Sequence, residues 1–92
     1  MEKDNLSLLA QAFLKLRNVE EIKLFLKDLL SNTEQESIGM RIGIVQMLEQ
    51  GLPYTQIQRE TGASTATIAK VSENYKYGND GYKLILERLK RV

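Results

Sequence analysis

Five side chains that can meet a nucleic acid fall within seven consecutive positions: Ser64, Thr65, Ala66, Thr67 and Lys70. Serine and threonine hydroxyls exchange hydrogen bonds with base edges or phosphates. Ala66 and the methyl of Thr67 can contact a thymine methyl. Lys70 offers a phosphate a cation, which adds affinity without sequence information. Gln56 and Arg59, one short segment upstream, could meet phosphates as well. The same residues would also serve as a plain solvated face, so what positions them matters.

Two short helices joined by a tight turn would position them. Gly62 stands where such a turn needs a positive φ, which glycine enters without a Cβ penalty. Ala63 is small enough for the close approach at the turn, and Ile57, Ala63, Ile68 and Val71 would pack the two helices together. The pattern predicts a helix-turn-helix over residues 54–75. Thr55 to Gln58 reads as a T-x-x-Q capping box at its start, and Ser64 reads as the cap of the second helix. In such motifs the second helix directs its N-terminal residues at the major groove, and its N-terminus favours a phosphate.

Around this motif the apolar spacing predicts further helices. Leu6, Leu9, Phe13 and Leu16 form one face over residues 5–17. Asn18 with Glu21 reads as the cap of a second helix, carrying Val19, Ile22, Phe25, Leu26, Leu29 and Leu30 and ending at Ser31-Asn32. Thr33 to Glu36 is a T-x-x-E capping box that would open a long helix. Ile38, Ile42, Val45 and Leu48 lie on one side of it, widened by Met40, Ile44 and Met47, and Gly51-Leu52-Pro53 stops it. Residues 78–81 are a turn cluster, followed by a last helix over about 80–91 with Tyr82, Ile85, Leu86, Leu89 and Val92 on one face. The expectation is six helices, no strand and one domain over 1–92, with residues 5–50 forming dimerisation helices. Several of these helices are apolar over more than one stripe, which asks for more cover than a chain this short provides.

The remaining inventory excludes whole classes of function. Cysteine, histidine and tryptophan are absent. That removes disulfides, the usual zinc sites and the commonest general base. Nothing pairs a nucleophile with a base, and Glu20-Glu21 sits on a polar face, so no enzyme and no metal are expected. No apolar run reaches the roughly 20 residues of a membrane span. The start, Met1-Glu2-Lys3-Asp4-Asn5, is unlike a signal peptide, and a cysteine-free chain suits a reducing cytosol. The net charge of +1 hides an asymmetry: residues 1–53 carry six Lys/Arg and eight Asp/Glu, residues 54–92 seven and four. Positive charge gathered in the half that holds the motif suits phosphate contacts.

Two runs carry a family resemblance: Gly39-Met40-Arg41-Ile42-Gly43-Ile44-Val45, and Gly62 through Ser72 with its G-A-x-x-A-T-I segment. In register, from about Thr33 to Leu89, the chain resembles the Trp repressor family in its YerC/YecD-type branch. The resemblance implies an all-α six-helix Trp-repressor-like fold, an intertwined homodimer and a bacterial cytoplasmic transcription regulator, expected to be a repressor. It also implies a tryptophan corepressor beside the recognition helix. Thr33, Arg41, Lys70 and Asn74 stand at ligand-contacting positions. Lys70 replaces an arginine, Asn74 a serine, and Val71 a glycine that faces the indole ring. A β-branched side chain at 71 would project into the indole's space, so no tryptophan corepressor and no other cofactor are expected. Arg41 has a plainer reading, an ion pair with Glu36, Glu34 or a partner subunit, and Thr33 is explained by its capping box. Tyr54, Tyr75, Tyr77 and Tyr82 read as half-buried helix covers. Lys76, Lys83, Arg88, Lys90 and Arg91 read as a solvated basic face that could also help hold DNA.

The expectation is therefore a sequence-specific regulator that binds double-stranded DNA at a palindromic operator through Gln56, Arg59, Ser64, Thr65, Ala66, Thr67 and Lys70. The alternative is a protein-interaction module that keeps the helix-turn-helix shape without DNA binding.

Overall fold

The computed structural model describes residues 4–90. The expected polar start at Met1 to Lys3, the basic Arg91 and the apolar Val92 lie outside them. Six helices follow one another without a strand among the described residues: α1 (Asn5–Leu14), α2 (Val19–Leu29), α3 (Asn32–Glu49), α4 (Tyr54–Thr61), α5 (Thr65–Tyr77) and α6 (Gly81–Lys90). The all-α six-helix expectation holds. The chain forms two compact units, residues up to Gln35 and residues from Glu36 onward.

In the first unit, α1 ends three residues before the expected 17, its last turn closed by the Lys15 N–H on the Ala12 carbonyl and the Leu16 N–H on the Phe13 carbonyl, each at 3.1 Å. Asn18 caps α2 as expected, its side chain accepting the Glu21 N–H at 2.9 Å. Glu21 reaches back to the Arg17 N–H at 2.8 Å, tying the linker to the helix. Phe13 meets Phe25 edge to face with centroids 5.4 Å apart, a geometry that aromatic quadrupoles favour. Neither α1 nor α2 contains a buried residue. On the expected faces Phe13, Leu16, Ile22, Phe25, Leu26 and Leu30 are half-buried, while Leu6, Val19 and Leu29 stay 72%, 59% and 46% exposed.

The start of α3 corrects the expected cap. The box is Ser31 to Glu34, not Thr33 to Glu36. The Ser31 hydroxyl accepts the Glu34 N–H at 3.1 Å, and the Glu34 carboxylate accepts the Ser31 N–H at 2.9 Å. The cause is where α2 stops. Leu30 is already extended (φ −122°, ψ 146°), so Ser31 is the first polar side chain able to cap, and Thr33 falls inside the first turn.

The second unit holds the core. Ile44 and Val45 of α3, Ile57 of α4, Ala63 of the turn, Ile68 and Val71 of α5 and Leu86 of α6 form one buried cluster. All four residues expected to pack the helix pair are in it. Burying such an aliphatic side chain is worth about 1.5–3 kcal/mol, so this cluster is what fixes α5 against the rest of the unit. A second cap differs from expectation. The Thr55 to Gln58 box does not form; Pro53 caps α4 with no side-chain bond. Its ring holds φ at −69° and its carbonyl accepts the N–H groups of Gln56 and Ile57 at 3.0 and 3.1 Å, so the helix starts one residue ahead of Thr55. α5 runs to Tyr77, two residues past the expected 75. Gly78 then turns the chain so tightly that a Cβ there would collide with the Asn74 carbonyl oxygen.

Candidate nucleic-acid interface

The turn between α4 and α5 is built by three adjacent residues. Gly62 adopts φ +77° and its N–H reaches the Gln58 carbonyl at 2.8 Å, the left-handed helix end expected of it. Thr61, which the sequence reading passed over, ties the corner. Its hydroxyl donates to the Ile57 carbonyl at 2.7 Å and accepts the Ala63 N–H at 3.1 Å. A threonine just before a helix-ending glycine was the available signal. Ala63 then enters the core, 6% exposed.

Ser64 caps α5 as expected. Its hydroxyl accepts the Thr67 N–H and donates to the Thr67 hydroxyl, both at 3.1 Å. α5 buries Ile68, Val71 and Ser72. Ser64, Thr65, Ala66, Ala69 and Lys70 are exposed on it, and Thr67 is half-buried. On α4, Arg59 is exposed in the last turn and Gln56 is half-buried. All seven expected contact residues thus lie on the helix pair, five of them within the cap and first two turns of α5.

Three of the four expected ligand positions meet. Arg41, Lys70 and Asn74 line one cavity of about 210 Å³ with Ala66, Thr67 and Val71. Val71 forms part of its wall while only 2% exposed, because its side chain belongs to the core. Thr33 lies in the first turn of α3, in the first unit. Arg41 makes no ion pair with Glu36 among the described residues; it is exposed and borders the cavity instead. Of the basic residues assigned to a solvated face, Lys83 pairs with Asp80 at 3.4 Å and Lys90 with Glu49 at 2.7 Å. The Glu49 carboxylate bound to it raises the Lys90 pKa above the usual lysine value. Tyr75 and Tyr82 are half-buried as expected, whereas Tyr54 and Tyr77 are exposed, Tyr77 at 82%; the end of α5 runs past the core that would have covered it. No group of His, Cys, Asp or Glu among the described residues could hold a metal ion, and no helix there is long and apolar enough to cross a membrane.

The family model described as Trp repressor protein matches residues 4–90. The chain belongs to the Trp repressor family. Among its relatives is YerC of Bacillus subtilis, an uncharacterized protein, 41% identical over 84 residues that span 91% of this chain and 81% of the relative. Among solved structures, a candidate Trp repressor from Staphylococcus aureus superposes with a TM-score of 0.90 at 39% identity, covering 97% of this chain and 89% of the other. A TrpR-like protein from Eubacterium eligens gives the same TM-score at 37% identity, covering 97% and 92%. The match reaches beyond the Thr33 to Leu89 stretch that carried the resemblance and takes in α1 and α2. α4, the Gly62 turn and α5 have the helix-turn-helix form expected over residues 54–75.

Proposed function

We propose that this Trp repressor family protein is a homodimeric transcription regulator that binds a palindromic operator with α5 in the major groove. The observation that carries the reading is the division of α5. One side is locked into the core by Ile68, Val71 and Ser72, and the N-terminal part of the other offers Ser64, Thr65, Ala66 and Lys70 to a partner. A rigid helix with a small, polar, cationic leading face suits base edges flanked by phosphates.

Three features support a second copy as the cover for the apolar surface. α1 and α2 contain no fully buried residue. Ile38, Ile85 and Leu89 are 47%, 41% and 48% exposed, and Ile42 and Ile85 flank an open cleft of about 530 Å³. Gly39 and Gly43 sit inside α3, and beyond the adjoining residues and backbone of their own helix no described atom lies within 4 Å of where a Cβ would be. A glycine inside a helix costs about 0.5–1 kcal/mol relative to alanine, and among the described residues no packed neighbour offsets it; a helix of a second copy approaching closely would. Two such subunits would present their recognition helices about one DNA turn apart, roughly 34 Å.

The same reading leaves tryptophan out. The cavity beside α5, about 210 Å³, is smaller than the roughly 300–1,000 Å³ of common ligand pockets, and Val71 stands where the resemblance places a glycine in the repressor. Arg41, Lys70 and Asn74 would serve DNA or the partner subunit rather than a corepressor.

Selection of duplexes from a random library, with and without tryptophan and at two salt concentrations, tests the proposal. A palindrome recovered in both cases, with affinity falling steeply as salt rises, is the expected result. No retention at low salt would favour the protein-interaction module instead, whose apolar contacts are insensitive to salt.

A further inference from the structure

The face of α5 that the DNA-binding reading assigns to the groove is chemically narrow. Bases are told apart in the major groove by bidentate Arg, Lys, Asn or Gln side chains, by Asp or Glu accepting from cytosine, by hydroxyls, or by apolar contact with the thymine methyl. From Ser64 through Ala69 there is no amide, guanidinium, ammonium or carboxylate side chain. The Ser64 hydroxyl is engaged by Thr67, once as acceptor and once as donor, at 3.1 Å each. The bond to the Thr67 oxygen also fixes χ1 of that β-branched residue, and with it the placement of its methyl. What is left on the outer side of the first two turns is the Thr65 hydroxyl and a set of methyl groups, those of Thr65, Ala66 and Ala69, all exposed, and of half-buried Thr67. Lys70 follows as a flexible point charge suited to the backbone.

Thymine is the one standard base that presents a methyl in the major groove. We propose that α5 reads its operator chiefly through thymine C5-methyl groups, with Thr65, Ala66, Thr67 and Ala69 as the reading side chains. The inference rests on the DNA-binding reading above and adds the class of base that is recognised.

The test uses the full chain and the duplex recovered by selection. Each symmetry-related pair of thymines is replaced in turn by deoxyuridine, which keeps Watson–Crick pairing and removes the methyl. Burying one such group is worth about fourfold in affinity, so a pair in a palindrome is expected to cost roughly 16-fold at the positions read. T65S, A66G, T67S and A69G each remove one protein methyl. The readout is the ratio of affinities for thymine and uracil duplexes, which does not depend on how stable the variant is. T67S keeps the hydroxyl that Ser64 bonds to, and its ratio is expected to collapse towards one at the position Thr67 reads. Uracil duplexes bound within twofold of thymine duplexes at every position would overturn methyl reading while leaving DNA binding intact. A uracil penalty unchanged in all four variants would overturn the assignment to these residues. Failure to retain any duplex at low salt would overturn this inference and the DNA-binding reading together.

Discussion

The Thr61 hydroxyl donates to the Ile57 carbonyl at 2.7 Å and so joins the end of α4 to a residue at the centre of the core. The same oxygen accepts the Ala63 N–H at 3.1 Å, so one side chain satisfies the corner from both directions. Thr61→Val keeps the shape and removes both bonds, leaving a part-buried N–H without a partner. An unsatisfied group of this kind costs about 1–3 kcal/mol. The urea midpoint should fall accordingly at unchanged m value, and an unmoved midpoint would mean that water replaces the hydroxyl.

At Ser64, stability and DNA binding can be separated with two substitutions. Ser64→Ala loses the cap on the Thr67 N–H, which is worth about 1 kcal/mol. Ser64→Asp restores a capping oxygen and is favoured by the helix dipole, but it puts a negative charge at the head of the face assigned to DNA. Thermal denaturation should rank Asp near wild type and Ala below it. Duplex binding should rank Asp lowest of the three. If Asp binds DNA as well as wild type does, the start of α5 does not approach phosphate or base edges.

Glu34 supplies a pH dependence whose sign can be worked out. The Ser31 N–H and then the Ser31 hydroxyl hold its carboxylate below the usual glutamate pKa. A group lowered in the folded state contributes stability that is fully present above the unfolded pKa, about 4.3, and is lost as pH falls through the lower folded value. Glu34→Gln still offers an oxygen to the Ser31 N–H but does not titrate. The difference in denaturation midpoint between wild type and this variant should therefore be constant near neutrality and shrink below about pH 4. A constant difference down to pH 3 would show that the cap does not sense the charge.

How much of this could be read in the sequence depends on which physical rule decides each element. The turn at Gly62-Ala63 and the Ser64 cap were legible because a positive φ and a helix start each admit few residue types. The core of the second unit was legible from Ile57, Ala63, Ile68 and Val71, whose spacing matches one helical face each. Two capping boxes were misread for one reason. A T-x-x-E or T-x-x-Q string is local, whereas the cap is set by where the preceding segment stops being helical, and Ser31 and Pro53 reached that point first. Thr61 was missed because its role lies in two backbone partners that only the folded corner brings within reach. The cavity at Arg41, Lys70 and Asn74 came from the family resemblance, since residues 29 positions apart on two helices leave no periodic trace.

Val71 offers a direct test of the proposal that tryptophan is left out. Its side chain is 2% exposed and part of the core cluster as well as the cavity wall. Val71→Ala removes two methyl groups and should destabilise by about 2 kcal/mol while enlarging the cavity beside α5. Calorimetric titration of tryptophan is expected to give no heat of binding with wild type and a measurable one with Val71→Ala, or with Val71→Gly if the smaller change leaves too little room. Stoichiometric binding to wild type would overturn the reading and make the proposed regulator ligand-controlled.

Lys70 distinguishes a phosphate contact from a base contact. It is exposed in the second turn of α5, beyond the methyl-bearing face. Each phosphate neutralised contributes about −0.9 to the slope of log K against log salt. The proposed dimer carries the residue twice, so Lys70→Gln should make the slope shallower by about 1.8 and weaken all duplexes evenly. Lys90→Gln is the control of equal charge change, because its ammonium is held 2.7 Å from Glu49; the slope should not move. If Lys70→Gln instead leaves the slope intact and relaxes preference at one base pair per half-site, Lys70 reads a guanine. Its chemistry would then belong with the reading residues, and the cation contacts to the backbone would have to come from Arg59 and the exposed end of α5.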